Sequence, residues 1–174
     1  MSSPLSRFLH TAILVIVSLL VGSMFGVWRG YDPAAFSPAT FVEVQQGAIR
    51  GLNDLLPFMG LASIAVTVVL AFLARKRPLV MWLYAAAAIA LAIAGIVTRF
   101  GNQPINDIVM TWTATPPDGW QTLRDAWWNW HLVRLTAAFV GMVLLINAVF
   151  ADRSQHVAAL TARHSDPSAR ASAA

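Results

Sequence analysis

The chain contains no cysteine. Disulfide cross-links, thiolate nucleophiles and cysteine-ligated metals are therefore excluded. Charge is also scarce, with only 11% of the 174 residues being Asp, Glu, Lys or Arg. That is less than half the roughly 25% found in soluble globular domains. None of the four histidines stands in an H-x-x-H, E-x-x-H or H-E-x-x-H pattern, so the sequence predicts no metal site. Period-two alternation is missing as well, which excludes a transmembrane β-barrel.

What the chain does have is apolar length. It is 57% hydrophobic with a mean hydropathy of +0.63. Four continuous runs, at about residues 8–28, 55–74, 79–98 and 129–150, each approach the roughly 20 residues a helix needs to cross a bilayer. The implied fold class is all-α: an integral membrane four-helix bundle over residues 1–152, with the lipid bilayer as its first partner. Arg7 precedes the first run as it would in a secretion signal. That run exceeds an h-region of about 7–15 residues and no A-x-A site follows, so it reads as a retained helix.

The basic residues set the expected orientation. Arg7, Arg75, Lys76, Arg77, Arg153, Arg163 and Arg170 fall on one side of such a bundle, against Asp152 and Asp166. Five arginines fall on the other side, against six acids. The positive-inside rule then places both termini and the short "ARKRP" loop in the cytoplasm, as in a bacterial inner-membrane protein. The pI near 10.7 reflects this topology. No arginine cluster is interleaved with aromatics in a soluble segment, so nucleic acid is not an expected partner. The tail from 153 to 174, ending "TARHSDPSARASAA", is small, polar and expected to be disordered. Orientation is open to a direct check. In whole cells, Asp118→Cys is expected to label with an impermeant thiol reagent and Lys76→Cys to resist it; the reverse pattern inverts the topology.

The two long connecting segments lie opposite the basic side, and loops of such length are usually functional. The first holds "ATFVEVQQGAIRGLNDLLP", an additional interfacial helix before the second span. Ser37 or Thr40 is its expected cap, with Glu43 completing a capping box after Thr40. Glu43, Gln46, Arg50 and Asn53 are spaced 3, 4 and 3 and so share one face, while Pro57 kinks or restarts the helix at the membrane edge. The second segment starts with "TRFGNQPIND". There Gly101 and Pro104 are expected to break the helix and present Asn102, Gln103, Asn106 and Asp107. Such backbone must be buried in protein or line a wet cavity.

The last apolar run opens with "DAWWNWHLVRL". Trp127, His131 and Arg134 share a face by spacings of 4 and 3, and Trp130 flanks it. An aromatic belt with a snorkelling arginine is one account. The preferred account is an interior polar cluster. Apolar sequence follows Arg134, and an intramembrane cation faces the bundle interior with a partner; Glu43, Asp54 and Asp107 are the acids on its side. The polar groups are then expected to converge on one cavity near Arg134. His10 is more than about 20 Å away at the opposite end of a ~30 Å core, so it and His131 cannot share a metal.

These motifs resemble the anthrone oxygenase family of small four-helix membrane proteins. "NQPIND" matches its Asn-x-Pro-[Leu/Ile]-Asn motif at Asn102, Pro104, Ile105 and Asn106. "WWNWHLVR" is similar to its Trp-x-x-Trp-[Asn/His]-x-x-Arg motif at Trp127, Trp130, His131 and Arg134. "WHLVR" stands here where many bacterial relatives read "WNHVR". The resemblance spans most of residues 8–150 and implies oxidation of an anthrone to an anthraquinone by O2, with no metal or flavin required. The residues are compatible with that chemistry: His131, with an ordinary pKa near neutrality, is the expected base, Arg134 the expected oxyanion partner, and Asn102 and Asn106 the expected catalytic groups that orient oxygens. Gln46, Arg50, Asn53, Trp127 and Trp130 would bind a small apolar aromatic substrate in an outward-facing pocket. Two other readings stay open. One is a haem b- or quinone-binding electron-transfer protein with His131 as haem ligand. The other is a non-catalytic scaffold whose polar residues are exposed and which has no cavity between its helices. Assembly into a homo-oligomer is also open.

Overall fold

The computed structural model describes residues 4–165, with side chains through Gln155. Six α-helices make up the described chain: α1 Pro4–Gly30, α2 Pro38–Leu52, α3 Leu55–Leu73, α4 Pro78–Val97, α5 Gln103–Val109 and α6 Trp120–Ser165. Four stretches are long and apolar enough to cross a membrane, namely Pro4–Gly30, Leu55–Leu73, Pro78–Val109 and Trp120–Gln155. The protein is an all-helical integral membrane protein. α6 packs along α4 and α1, and α3 packs along the same two helices from the other side. The four long helices thus close a ring around one apolar core.

The core positions follow helical periodicity. On α1, Ile13, Val17, Leu20 and Met24 are buried at steps of 3 and 4, so one stripe faces inward while Val15, Leu19 and Phe25 face out. Inside a bilayer the apolar exterior carries no penalty, and close packing is left to small residues. At Gly141 on α6 an added Cβ would come within 3.0 Å of Leu91 Cγ and 3.3 Å of the Ala87 carbonyl. The glycine therefore sets how closely α6 approaches α4.

Local chemistry explains the helix boundaries. Ser37 caps α2 by accepting from the Thr40 N–H, and Thr40 is already helical. The capping box expected between Thr40 and Glu43 is therefore not the start of this helix. α2 ends at Leu52 and α3 restarts at Leu55. Pro57 sits in the first turn of α3, where its missing N–H leaves no bond unmade.

The expected break at "GNQPIND" does not occur. α4 continues through a π-turn at Thr98–Asn102 into α5, and the Gln103 N–H reaches back five residues to the Thr98 carbonyl. Widening the helix by one residue accommodates Pro104, which can donate to no carbonyl and would crowd the one four residues back. α6 extends to Ser165, so residues 153–165 of the tail expected to be disordered are helical. Their "VAAL" stretch consists largely of helix formers. The remainder of that tail lies outside the described residues.

A buried polar cluster ties the basic end of the bundle together. His10 Nε2 lies 3.1 Å from Asp152 Oδ2 and 3.1 Å from the Tyr84 hydroxyl. Arg77 pairs with the other oxygen of Asp152. One carboxylate thus joins α1, the α3–α4 turn and α6.

Candidate active site

The opposite end of the bundle is covered by α2, α5 and the first turns of α6. A second apolar cluster, with Phe41, Ile49, Ile105, Val109, Trp120 and Trp127 buried in it, fixes these elements to one another. Beneath it lies the site.

His131 is fully buried at 0% exposure, and Arg134, one turn further along α6, is 8% exposed. Arg134 Nε and Nη2 lie 3.2 and 3.0 Å from His131 Nδ1. A guanidinium only donates, so Nδ1 carries the lone pair. His131 Nε2 is 3.1 Å from the Met24 carbonyl, which only accepts, so Nε2 carries the proton. The partners therefore assign a neutral imidazole protonated at Nε2, with both nitrogens engaged. Its ring is stacked between Trp127, at 5.4 Å and 7°, and Trp128, at 5.7 Å and 24°.

A chain of amides holds Trp127. Its Nε1 donates to Asn106 Oδ1 at 2.8 Å, and Asn106 Nδ2 donates to Asn53 Oδ1 at 2.9 Å. Asn102 Nδ2 donates to the Trp127 carbonyl at 3.0 Å. The π-turn makes this possible, because it re-aims Asn102 and Asn106 so that both meet α6. Asn102 Oδ1 is a buried acceptor without a partner among the described residues, a group that natural proteins usually satisfy with water or ligand.

The acids expected to pair with Arg134 do not. Glu43, Asp54 and Asp107 are all exposed. Among the described residues no carboxylate lies within ion-pair distance of Arg134, and Nη1 has no hydrogen-bond acceptor. Trp127 adds a cation–π contact at 5.8 Å. A buried cation in this state is costly to maintain, and an anionic ligand would relieve that cost.

Asn53, Asn106, Trp127, His131 and Arg134 line one cavity of about 70 Å³. Three other expected residues point elsewhere. Gln46 donates to the Val109 and Trp112 carbonyls at 3.0 and 2.9 Å, so it caps the end of α5. Arg50 is exposed. Trp130 is 44% exposed and covers Gly101, where an added Cβ would meet its ring at 2.7 Å. It lies on the outside of the bundle.

Sequence reasoning missed Gln45 and Tyr31. Gln45 is 1% exposed and lines the cavity, and it accepts from the Tyr31 hydroxyl. The inward stripe of α2 runs through Phe41, Gln45 and Ile49, one residue out of phase with the expected face. The available signal was the spacing of 4 from Phe41 to Gln45 and from Gln45 to Ile49. Tyr31 rests edge-on against Trp127 at 5.9 Å. Burial pushes its phenol up from the ordinary value, so it stays a hydrogen-bond donor to Gln45.

The family model described as anthrone oxygenase matches residues 48–144, more than half of the chain. The chain belongs to the anthrone oxygenase family. The matched region of this family member contains Asn53, Asn102, Asn106, Trp127, His131 and Arg134. Met24, Tyr31 and Gln45, which complete the site, precede it. No curated protein and no solved structure matches the chain.

Membership and geometry together bear on the rival readings. An axial haem ligand needs a free imidazole nitrogen, and His131 has none in this arrangement. His10 Nε2 is likewise engaged by Asp152 and Tyr84. Among the described side chains, His131 therefore has no nitrogen free for a haem iron. A scaffold reading requires exposed polar groups and no cavity, whereas here Asn106, His131 and Arg134 are buried and line one, although Glu43, Arg50, Asp54 and Asp107 are exposed.

Proposed function

We propose that this membrane oxygenase-like protein oxidises a flat, apolar anthrone-like, phenolic or quinol-like molecule with O2 beside Arg134. The observation that carries this reading is the buried guanidinium, held in place by His131 and left with one amino group free for an oxyanion. For an anthrone the steps balance as follows. The ring CH2 loses a proton, giving an anthrolate whose charge resides largely on oxygen. The carbanion carbon transfers electrons to O2 and forms a C–O bond. The resulting peroxide takes up one proton and loses water to give the quinone carbonyl. One O2 is consumed and one H2O released, with no net change in protons.

Arg134 stabilises the developing oxyanion in a low-dielectric site, where a preorganised donor has its largest effect. The anthrolate form becomes accessible and the C–H bond more acidic. The expected role of His131 as base is revised, because neither nitrogen is free to accept a proton. It serves as a positioning residue that fixes the guanidinium plane. Trp127, locked by Asn106, stacks on the His131 ring and holds it in place. Purified protein in nanodiscs, mixed with a simple anthrone, is expected to consume one O2 per quinone formed, measured by oxygen electrode and quinone absorbance. Rates no higher than with protein-free nanodiscs would overturn the reading.

A further inference from the structure

The cavity beside His131 holds about 70 Å³, far below the roughly 300–1,000 Å³ of sites for small organic ligands. A second cavity of about 430 Å³ lies between α3 and α4. The two share Met24, Leu56, Pro57, Thr98 and Arg134 as lining. Arg134 therefore stands where one meets the other.

The larger cavity opens sideways. Leu61, Ile96 and Phe100 on its walls are 68%, 58% and 74% exposed, and they belong to spans whose outer surface meets hydrocarbon. Two glycines stand in its lining. At Gly60 on α3 and Gly95 on α4, an added Cβ would meet nothing within 4 Å. At Gly101 and Gly141, by contrast, a Cβ would collide with the neighbouring helix. Gly60 and Gly95 thus add no side-chain bulk to the slot they line, whereas the other two permit close packing. The lining is chiefly aliphatic, with Leu20, Met24, Leu56, Ile64 and Leu91; its polar members are Thr98, Gln103, the exposed Arg99 and the buried Arg134.

We propose that this slot is the bilayer-facing binding site through which substrate reaches Arg134, and that it takes a flat apolar molecule bearing a single ionised oxygen. The apolar lining holds the ring system, and the uncompensated guanidinium at the inner end receives the charge. The proposal rests on the reading that Arg134 binds the substrate oxyanion. It adds the route and the selection rule. Substrate arrives from the hydrocarbon, where apolar anthrones and quinols concentrate, and neutral ring systems without an ionisable oxygen are held less tightly.

Binding is measured with 9-anthracenecarboxylate, and with neutral 9-anthracenemethanol for comparison, by probe fluorescence in phosphatidylcholine nanodiscs. Wild type is expected to bind the carboxylate at least about tenfold more tightly than the alcohol, and Arg134→Gln to bind the two alike. Gly95→Phe and Gly60→Phe place a ring in open space rather than against backbone. Each is expected to weaken carboxylate binding about tenfold or more. Gly22→Phe is the matched control: it too adds a ring in open space, on an exposed position of α1 outside the slot, and should bind as wild type does. Carboxylate binding unchanged in both plugged variants, or no preference for the carboxylate in wild type, overturns the proposal. Stronger displacement of the probe by oleate than by unlabelled flat acid would assign the slot to a lipid carboxylate and overturn it too. No oxygen chemistry is read in this assay. Binding without turnover therefore retires the proposed oxidation and keeps the slot. Undiminished anthrone turnover by the plugged variants retires the slot and keeps the oxidation.

Discussion

Arg134→Gln is expected to lower the rate of anthrone-dependent oxygen uptake about 100-fold, the loss typical of removing one preorganised oxyanion donor. Glutamine keeps a hydrogen-bonding head on a shorter stem but removes the charge. The folded bundle should survive, because a buried cation without a carboxylate costs stability rather than supplying it. Arg134→Lys is expected to recover only part of the rate. A guanidinium bonds His131 Nδ1 with two nitrogens and still presents a third to substrate, whereas an ammonium is a single point donor. His131→Asn tests positioning separately. It should raise KM and lower kcat together while leaving the shape of the pH profile unaltered, since the imidazole exchanges no proton. Rates within twofold of wild type in folded Arg134→Gln would remove Arg134 from the mechanism. A pH profile that loses a limb in His131→Asn would restore the base role.

Asp152→Ala should produce the largest loss of stability, about 3 kcal/mol, which is the low end for breaking a buried ion pair from one side. Asp152 is only 8% exposed and serves both His10 and Arg77. Its removal strands two groups on two other elements. The estimate stays at the low end because the Arg77 side chain is 33% exposed and can regain water. Asp152→Asn keeps a hydrogen-bonding head for His10 and loses only the charge, so it should cost less than the alanine variant. Thermal unfolding followed by tryptophan fluorescence in detergent separates the two. Oxygen uptake well below the unfolding transition should be unchanged in both, because the cluster lies at the far end of the bundle from Arg134. Equal midpoints for wild type and Asp152→Ala would show that this carboxylate does not hold the helices together.

Several elements were legible without coordinates. Pro57 and Ser37 mark their helix starts because Pro in a first turn and Ser at a cap act on immediate neighbours. Asn102, Asn106, Trp127, His131 and Arg134 were singled out, and the structure brings them together. The misreadings share a cause. Gln46 was placed inward and Gln45 overlooked because the rotational phase of a 15-residue helix is set by what it packs against, and a step of one residue turns a side chain about 100°. Gly101 and Pro104 looked like a break because the sequence does not reveal that a π-turn can absorb a proline when α6 is there to receive the redirected asparagines.

The sequence by itself determined that this is a four-helix membrane protein with a cation at the mouth of its last span. Those properties depend on composition and length along a single axis: about 20 apolar residues cross a bilayer whatever their neighbours are. Only the tertiary structure decided what the polar residues do. The tautomer of His131 depends on a carbonyl of α1, the lack of a carboxylate beside Arg134 among the described residues depends on three acids that stay exposed, and the slot is lined by residues of different helices. Each is a relation between segments far apart in the chain, and hydropathy along one segment carries no record of the surface that will face it.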